Sequence, residues 1–232
     1  PGGYFVDKNG NKQFCGNGNF ADLAVFSFHP VKHITSGEGG MITTNRYDLY
    51  QKILRIRTHG MVKEVKSYTN SIELAGGKDD YPLWYMEMQT LGYNYRITDI
   101  QAALGNSQLQ RADHGLMRRK EIALKYEKSF KGKGYILGQS GYVEGHAYHL
   151  YVIEVRNRLE LYNFLRDKGV FAQIHYIPCH LMPYYRSFGW KQGDRPNSEL
   201  YYRQCISLPM YPALSDFEQQ FVIDTIDEYY RK

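Results

Sequence analysis

Apolar residues recur along this chain with two different periods, and the switches between them mark its elements. Tyr4-Phe5-Val6 is a short β-prone run, and the polar stretch Asp7 to Lys12 reads as a turn. Ala21 to Phe28 and Gly40 to Thr44 carry β-branched and aromatic residues and predict strands flanking a glycine-rich loop. Asn45 is placed to cap a helix over Tyr47 to His59, with Leu49, Ile53, Leu54 and Ile56 on one face. Residues 60–82 are polar, contain Gly76-Gly77 and Lys78-Asp79-Asp80, and read as an exposed loop. Leu83 to Met88 then reads as a strand and Gly92 to Arg96 as a loop. Thr98 is placed to cap a helix in which Ile100, Ala103, Leu104, Ser107 and Leu109 trace a buried stripe.

A helix over Leu116 to Phe130 leads into an α+β pattern. Tyr148 to Val155 alternates as a strand, Leu159 to Lys168 is helical, and Gly169 marks its end. Val170 to Tyr176 predicts a second strand. Further helices are predicted near His180 to Ser187, Ser198 to Cys205 and Ser215 to Tyr230. Ser215 and Glu218 have the spacing of a capping box for the last of these. Ser207 to Pro212 reads as a structural crossing.

Composition narrows the class. A length of 232 residues suits one large or two small domains, and 43% hydrophobic content is ordinary for a globular protein. The 22 tyrosines suit interfaces, sugar-stacking surfaces or half-buried helix faces. A net charge of +5 is spread along the chain without a basic run, so nothing marks a nucleic-acid binder. Cys15, Cys179 and Cys205 are odd in number and widely separated, which suggests neither a disulfide framework nor a zinc site. A reducing cytoplasm is the simplest setting. No apolar stretch approaches membrane-spanning length, and the amino end does not resemble a signal peptide.

The densest chemistry lies in Phe26-Ser27-Phe28-His29-Pro30-Val31-Lys32-His33-Ile34-Thr35-Ser36-Gly37-Glu38-Gly39-Gly40. A single lysine follows a strand end and precedes a glycine-rich turn. A desolvated lysine amine loses its proton readily and condenses with a carbonyl. Ser27 offers a hydroxyl near the same strand end, where a phosphorylated carbonyl cofactor would be held within reach. Taken alone, a loop lysine is in the large majority of cases solvated and inert, and the stretch also reads as a β-turn with routine glycines.

This run resembles the Schiff-base segment of the DegT/StrS-type nucleotide-sugar aminotransferases, which use pyridoxal 5′-phosphate (PLP). Further blocks match in the family's order: Gly92 to Ala103, containing Asn94-Tyr95-Arg96, then His175-Tyr176-Ile177-Pro178-Cys179-His180, then Ser207 to Pro212. Ser27-Phe28-His29-Pro30-Val31-Lys32 is similar to the altrosamine-transaminase branch in particular. The resemblance implies an α/β chain: the remainder of an aspartate-aminotransferase-type (fold type I) large domain over residues 1–113, and a small α+β domain over 114–232.

By the same resemblance, Lys32 forms the Schiff base and shuttles the proton between cofactor and sugar carbon. Ser27 contacts the cofactor phosphate, and Asn94 reaches the phosphate of the neighbouring subunit's cofactor, which implies a homodimer. Arg96 is a candidate for substrate phosphate or dimer contacts. His29 is a candidate to line the sugar pocket, and Tyr176 and His180 to contact substrate from the small domain. The implied substrates are a keto-deoxy nucleotide sugar and glutamate, in cell-surface or secondary-metabolite sugar biosynthesis. No metal, nucleic acid or membrane is implied.

In that family a substantial segment precedes the position matching Pro1, and it carries the aspartate that pairs with the cofactor's ring nitrogen. The expectation is therefore a C-terminal fragment with little activity alone. Two other readings compete. A PLP-dependent sugar dehydratase of the same fold would have histidine at position 32, whereas this chain keeps lysine there and has histidine at 33. A catalytically incompetent or partner-binding remnant is the other.

Overall fold

The amino-terminal run forms a hairpin, where one strand and a turn were expected. Strands β1 (Tyr4–Val6) and β2 (Lys12–Phe14) pair antiparallel, Phe5 opposite Gln13. The Asp7 carboxylate shapes the turn by accepting the amides of Asn9 and Asn11, each at 2.9 Å. The computed structural model describes residues 2–231. It divides into two units: Cys15–Leu109, and the amino-terminal segment as far as Phe14 together with the chain from Gln110 onward.

In the unit Cys15–Leu109, strands β3 (Ala24–Ser27) and β4 (Gly40–Thr43) pair antiparallel, with Phe26 opposite Met41 and Ser27 opposite Gly40. Helix α1 (Tyr47–Arg57) starts at Tyr47 as expected, but its cap lies one residue after Asn45. The N-cap is Arg46, whose amide donates to Thr44 Oγ1 at 3.0 Å, while Asn45 Nδ2 donates to the Asn17 carbonyl at 3.2 Å. Asn45 therefore ties two loops together and does not cap the helix. The short strands β5 (Met61–Val62) and β6 (Glu87–Met88) pair antiparallel. The strand expected over Leu83 to Met88 keeps only its last two residues, because a turn closes from the Tyr85 amide to the Pro82 carbonyl at 2.9 Å.

Helix α2 (Asp99–Leu109) has the expected cap. Gln101 N donates to Thr98 Oγ1 at 3.3 Å, and Thr98 N donates back to Gln101 Oε1 at 3.0 Å. Its apolar stripe, however, is not buried: Ile100 is 85% exposed and Leu109 59%. The helix instead turns Gly105 to its neighbour. A Cβ at Gly105 would lie 3.8 Å from the Ser36 Cβ, so α2 packs beside the lysine loop.

The other unit contains the hydrophobic core. Helix α3 (Ala112–Phe130) buries Ile122, Ala123, Tyr126 and Phe130 along one face. Strands β7 (Gly138–Gln139) and β8 (Tyr151–Glu154) follow, then α4 (Arg158–Asp167), which buries Leu161 and Leu165. Gly169, at φ +80°, lets the chain leave α4 with its amide bonded to the Arg166 carbonyl at 3.0 Å. The helix expected over 180–187 is broken at Pro183 into a 3₁₀ turn (Cys179–Leu181) and the four-residue α5 (Pro183–Arg186).

Helix α6 (Pro196–Gln204) ends where β9 (Cys205–Leu208) begins, and β9 is buried at every position. The sheet order is β7-β8-β9, all antiparallel, with Ile153 opposite Ile206. The strand expected over Val170 to Tyr176 is only a bridge, Gln173 to Ser207, on the outer side of β9. Helix α7 (Asp216–Arg231) closes the core with Val222, Ile223 and Ile226. Its capping box is as expected: Glu218 N donates to Ser215 Oγ at 3.2 Å, and Ser215 N donates to Glu218 Oε2 at 2.8 Å. Burying each large side chain of this core is worth about 1.5–3 kcal/mol.

Candidate functional site

The lysine loop runs from Phe28 to Gly39 and is locked at its root. Phe28 N donates to the Gly39 carbonyl at 2.9 Å, and Ser36 N donates to the Phe28 carbonyl at 3.0 Å. Thr35 Oγ1 donates to that same Phe28 carbonyl at 3.2 Å and accepts the Gly37 amide at 3.1 Å. Gly39 sits at φ +148°, a backbone state open chiefly to glycine. A Cβ at Gly40 would lie 2.8 Å from the Phe26 carbonyl oxygen, so the strand pair closes only around glycine there.

Lys32 is half-buried within this loop, and its amide donates to the His29 carbonyl at 2.9 Å. Ser27, at the end of β3, accepts the His29 amide on its Oγ at 3.4 Å. His29 is exposed, and its Nδ1 lies 3.5 Å from the Val31 amide. The end of β3 and the locked loop that follows it thus carry Ser27, His29 and Lys32. A primary amine can condense with an aldehyde, and a hydroxyl can donate to a phosphate.

Asn94 and Arg96 lie exposed on a second segment of the same unit. That segment is pinned along the end of α1. Tyr93 N donates to Ile56 O at 2.7 Å, Tyr95 N to Arg57 O at 3.0 Å, and Asn94 bridges Thr58. The Tyr93 and Tyr95 rings stack in nearly parallel planes with centroids 4.8 Å apart, so Asn94 sits between two stacked rings in sequence.

Tyr176 and His180 belong to the other unit, where they line a common cleft of about 760 Å³ with Tyr185, Trp190, Arg195 and Tyr201. His180 Nε2 lies 2.9 Å from Glu199 Oε1, with side chains 9% and 6% exposed. The His180 hydrogen bond holds the Glu199 carboxyl below its usual range against the opposing effect of desolvation.

Two carboxylates were not singled out from the sequence. Glu199 lies in the first turn of α6, and nothing in local spacing points to a histidine 19 positions earlier. Glu87 is buried and accepts from Thr69 N (2.6 Å), Thr69 Oγ1 (2.9 Å), Asn70 N (3.3 Å), Tyr85 OH (2.8 Å) and Gln89 Nε2. Desolvation raises its pKa, but the donors Gln89, Thr69 and Tyr85 outweigh that and bring it down to about 2. A signal was present here, since Tyr85, Glu87 and Gln89 alternate onto one face of the run.

Fold and loop together define an α/β protein with a lysine presented from a strand end. The chain belongs to the DegT/DnrJ/EryC1/StrS aminotransferase family, whose pattern matches residues 11–227. It is 37% identical over 218 residues to the spore coat polysaccharide biosynthesis protein SpsC of Bacillus subtilis, covering 90% of this chain and 54% of that protein. It is 33% identical over 216 residues to the UDP-4-amino-4,6-dideoxy-N-acetyl-beta-L-altrosamine transaminase of Campylobacter jejuni, covering 90% and 52%. Among solved structures, Spr1654 of Streptococcus pneumoniae in its PMP form superposes with a TM-score of 0.79 at 28% identity, covering 93% of this chain and 54% of that one. The chain spans about half the length of the curated relatives it matches. Among the described residues no helix is long and apolar enough to cross a membrane.

Proposed function

We propose that this chain carries the lysine-bearing part of a PLP-dependent aminotransferase that transfers an amino group from glutamate to a keto-deoxy nucleotide sugar. The observation that carries the reading is Lys32, half-buried on a loop locked between Phe28 and Gly39, with the Ser27 hydroxyl at its root. PLP, when bound, supplies the electron sink and carries the amino group between the two substrates.

The residues divide the remaining work. Lys32 Nζ anchors the cofactor carbonyl and moves a proton between cofactor C4′ and the sugar carbon. The Ser27 hydroxyl donates to the cofactor phosphate, a charge-assisted bond that resists loss of the group to solvent. Asn94 donates to the phosphate bound by a second copy, which makes the working form a homodimer. Arg96 pairs with substrate phosphate, and His29 borders the sugar. Tyr176 and His180 contact substrate from the C-terminal unit. The setting proposed for this work is a reducing cytoplasm.

The test is titration with PLP, borohydride reduction and peptide mass spectrometry, followed by incubation with glutamate and a keto-sugar nucleotide. The expected label is on Lys32, and the expected product is an amino sugar. Because the relatives are about twice as long, turnover by this chain alone is expected to be low, and labelling is the primary readout. Lys32→Ala removes both label and turnover; retained turnover in that variant overturns the reading. A deoxygenated sugar without added nitrogen assigns the dehydratase chemistry instead.

A further inference from the structure

A second, smaller cavity in the unit that holds the core lies against the first turns of α4. It measures about 350 Å³, at the small end of the range for ligand sites, and shares only Tyr176 with the larger cleft. Ile174 and Ile177 give it an apolar lining, and Tyr162, Tyr176 and Tyr202 supply rings. Its polar groups come from Arg158 and Tyr162, one helical turn apart on α4.

Both groups are fixed with donors left over. The Arg158 guanidinium lies 4.9 Å from the centre of the Tyr202 ring, and its Nη1 donates to the Tyr202 carbonyl at 2.9 Å. Its Nε–Nη2 edge, which a carboxylate can meet with two parallel bonds, has no acceptor among the described residues. The Tyr162 hydroxyl accepts both Nε and Nη2 of Arg166 at 3.1 Å, and its own proton has no acceptor among the described residues either. Among the described residues lining the cavity none is acidic. A ligand with an ammonium group therefore finds no counter-charge here, whereas a carboxylate finds one cation and one hydroxyl. The apolar lining suits a single flat ring, and the space is too small to enclose a nucleotide sugar.

We propose that this cavity binds a small aryl carboxylate, with its ring over Ile174 and Ile177 and its carboxylate on Arg158 and the Tyr162 hydroxyl. The site draws on neither Lys32 nor PLP.

The probe is 4-fluorobenzoate, read by fluorine NMR line width and shift against the full 232-residue chain. A saturable change is expected below about 10 mM, and 4-fluorobenzamide, which has the same shape and no charge, is expected to bind about tenfold more weakly. Arg158→Gln removes the advantage of the acid over the amide, and Tyr162→Phe weakens the acid more than the amide. Far-UV circular dichroism verifies that each variant is folded. Arg195→Gln, in the larger cleft, and Lys32→Ala are expected to bind the probe as the parent does, so a failed lysine labelling and a failed cavity are separate results. The proposal is overturned by the absence of a saturable change up to about 10 mM, by equal affinity for acid and amide, or by an unaltered titration in Arg158→Gln. Displacement of the probe by inorganic phosphate or by glutamate at matching concentration overturns the aryl carboxylate as the ligand class.

Discussion

His180 Nε2 and Glu199 Oε1 lie 2.9 Å apart, and this contact joins the 3₁₀ turn Cys179–Leu181 to the first turn of α6. Neither side chain has much access to water, so the bond between them is made in shelter from solvent. Removing the carboxylate leaves the His180 ring and the Gly193 amide without their acceptor, and unmade buried bonds cost more than made ones return.

Glu199→Ala is therefore expected to lower the thermal midpoint clearly, and Glu199→Gln, which keeps an acceptor oxygen, to lower it less. The folded-state pKa of Glu199 is depressed, so its contribution is present above its ordinary value and is lost as pH falls through the folded one. Thermal melts of Glu199→Gln against pH should show a shallower acid loss than those of the parent. Identical acid limbs would remove the pair from this role.

Glu87 gives a second acid-sensitive point. Its carboxylate gathers Thr69, Asn70, Tyr85 and Gln89 into one clasp, closing the long loop between β5 and β6 without a cation. Its pKa falls from 4.5 to about 2, so the clasp is fully favourable above pH 4.5 and is lost between there and pH 2. The near-ultraviolet signal of the adjoining Tyr68, Tyr81 and Tyr85 cluster should fade across that window. In Glu87→Gln the signal should be weaker at neutral pH and nearly independent of acid.

The root of the lysine loop is open to a direct test. Ser27→Ala should weaken PLP binding about tenfold while leaving Lys32 labelling intact at saturating cofactor. Gly40→Ala places a methyl group 2.8 Å from a backbone oxygen and should destabilise the β3–β4 closure by about 1–3 kcal/mol. Both are read by PLP absorbance titration. A Gly40→Ala protein with unchanged affinity would show that loop closure does not support the site.

The caps make a matched set. Ser215→Ala and Thr98→Ala should each cost about 1 kcal/mol in denaturant unfolding, because each removes the acceptor for a first-turn amide. Asn45→Ala should cost less than either, since its side chain bonds the Asn17 carbonyl and no α1 amide. Equal losses at all three positions would contradict the assigned cap at Arg46.

Much of the chain was legible from its residues, where the signal is local. Thr98 and Ser215 act as caps because the groups they satisfy lie three residues away. The Lys32 loop is bounded by strands where β-prone runs meet glycines. β9 was hidden for a physical reason: Cys-Ile-Ser-Leu is short, covered on both sides, and shows no alternation. Asn45 misled because a capping residue type one position early can bond elsewhere just as well.

From the sequence alone came most helix and strand periods, the caps at Thr98 and Ser215, and the amine with its neighbouring hydroxyl, all encoded within a few residues of one another. Only the tertiary structure determined that Ile100 of α2 stays uncovered while Gly105 meets Ser36. It likewise brought Glu199 to His180 and gathered Glu87's donors from two ends of a loop. The reason is that periodicity specifies which face of an element seeks cover, whereas the partner that supplies it depends on the path of the chain between them.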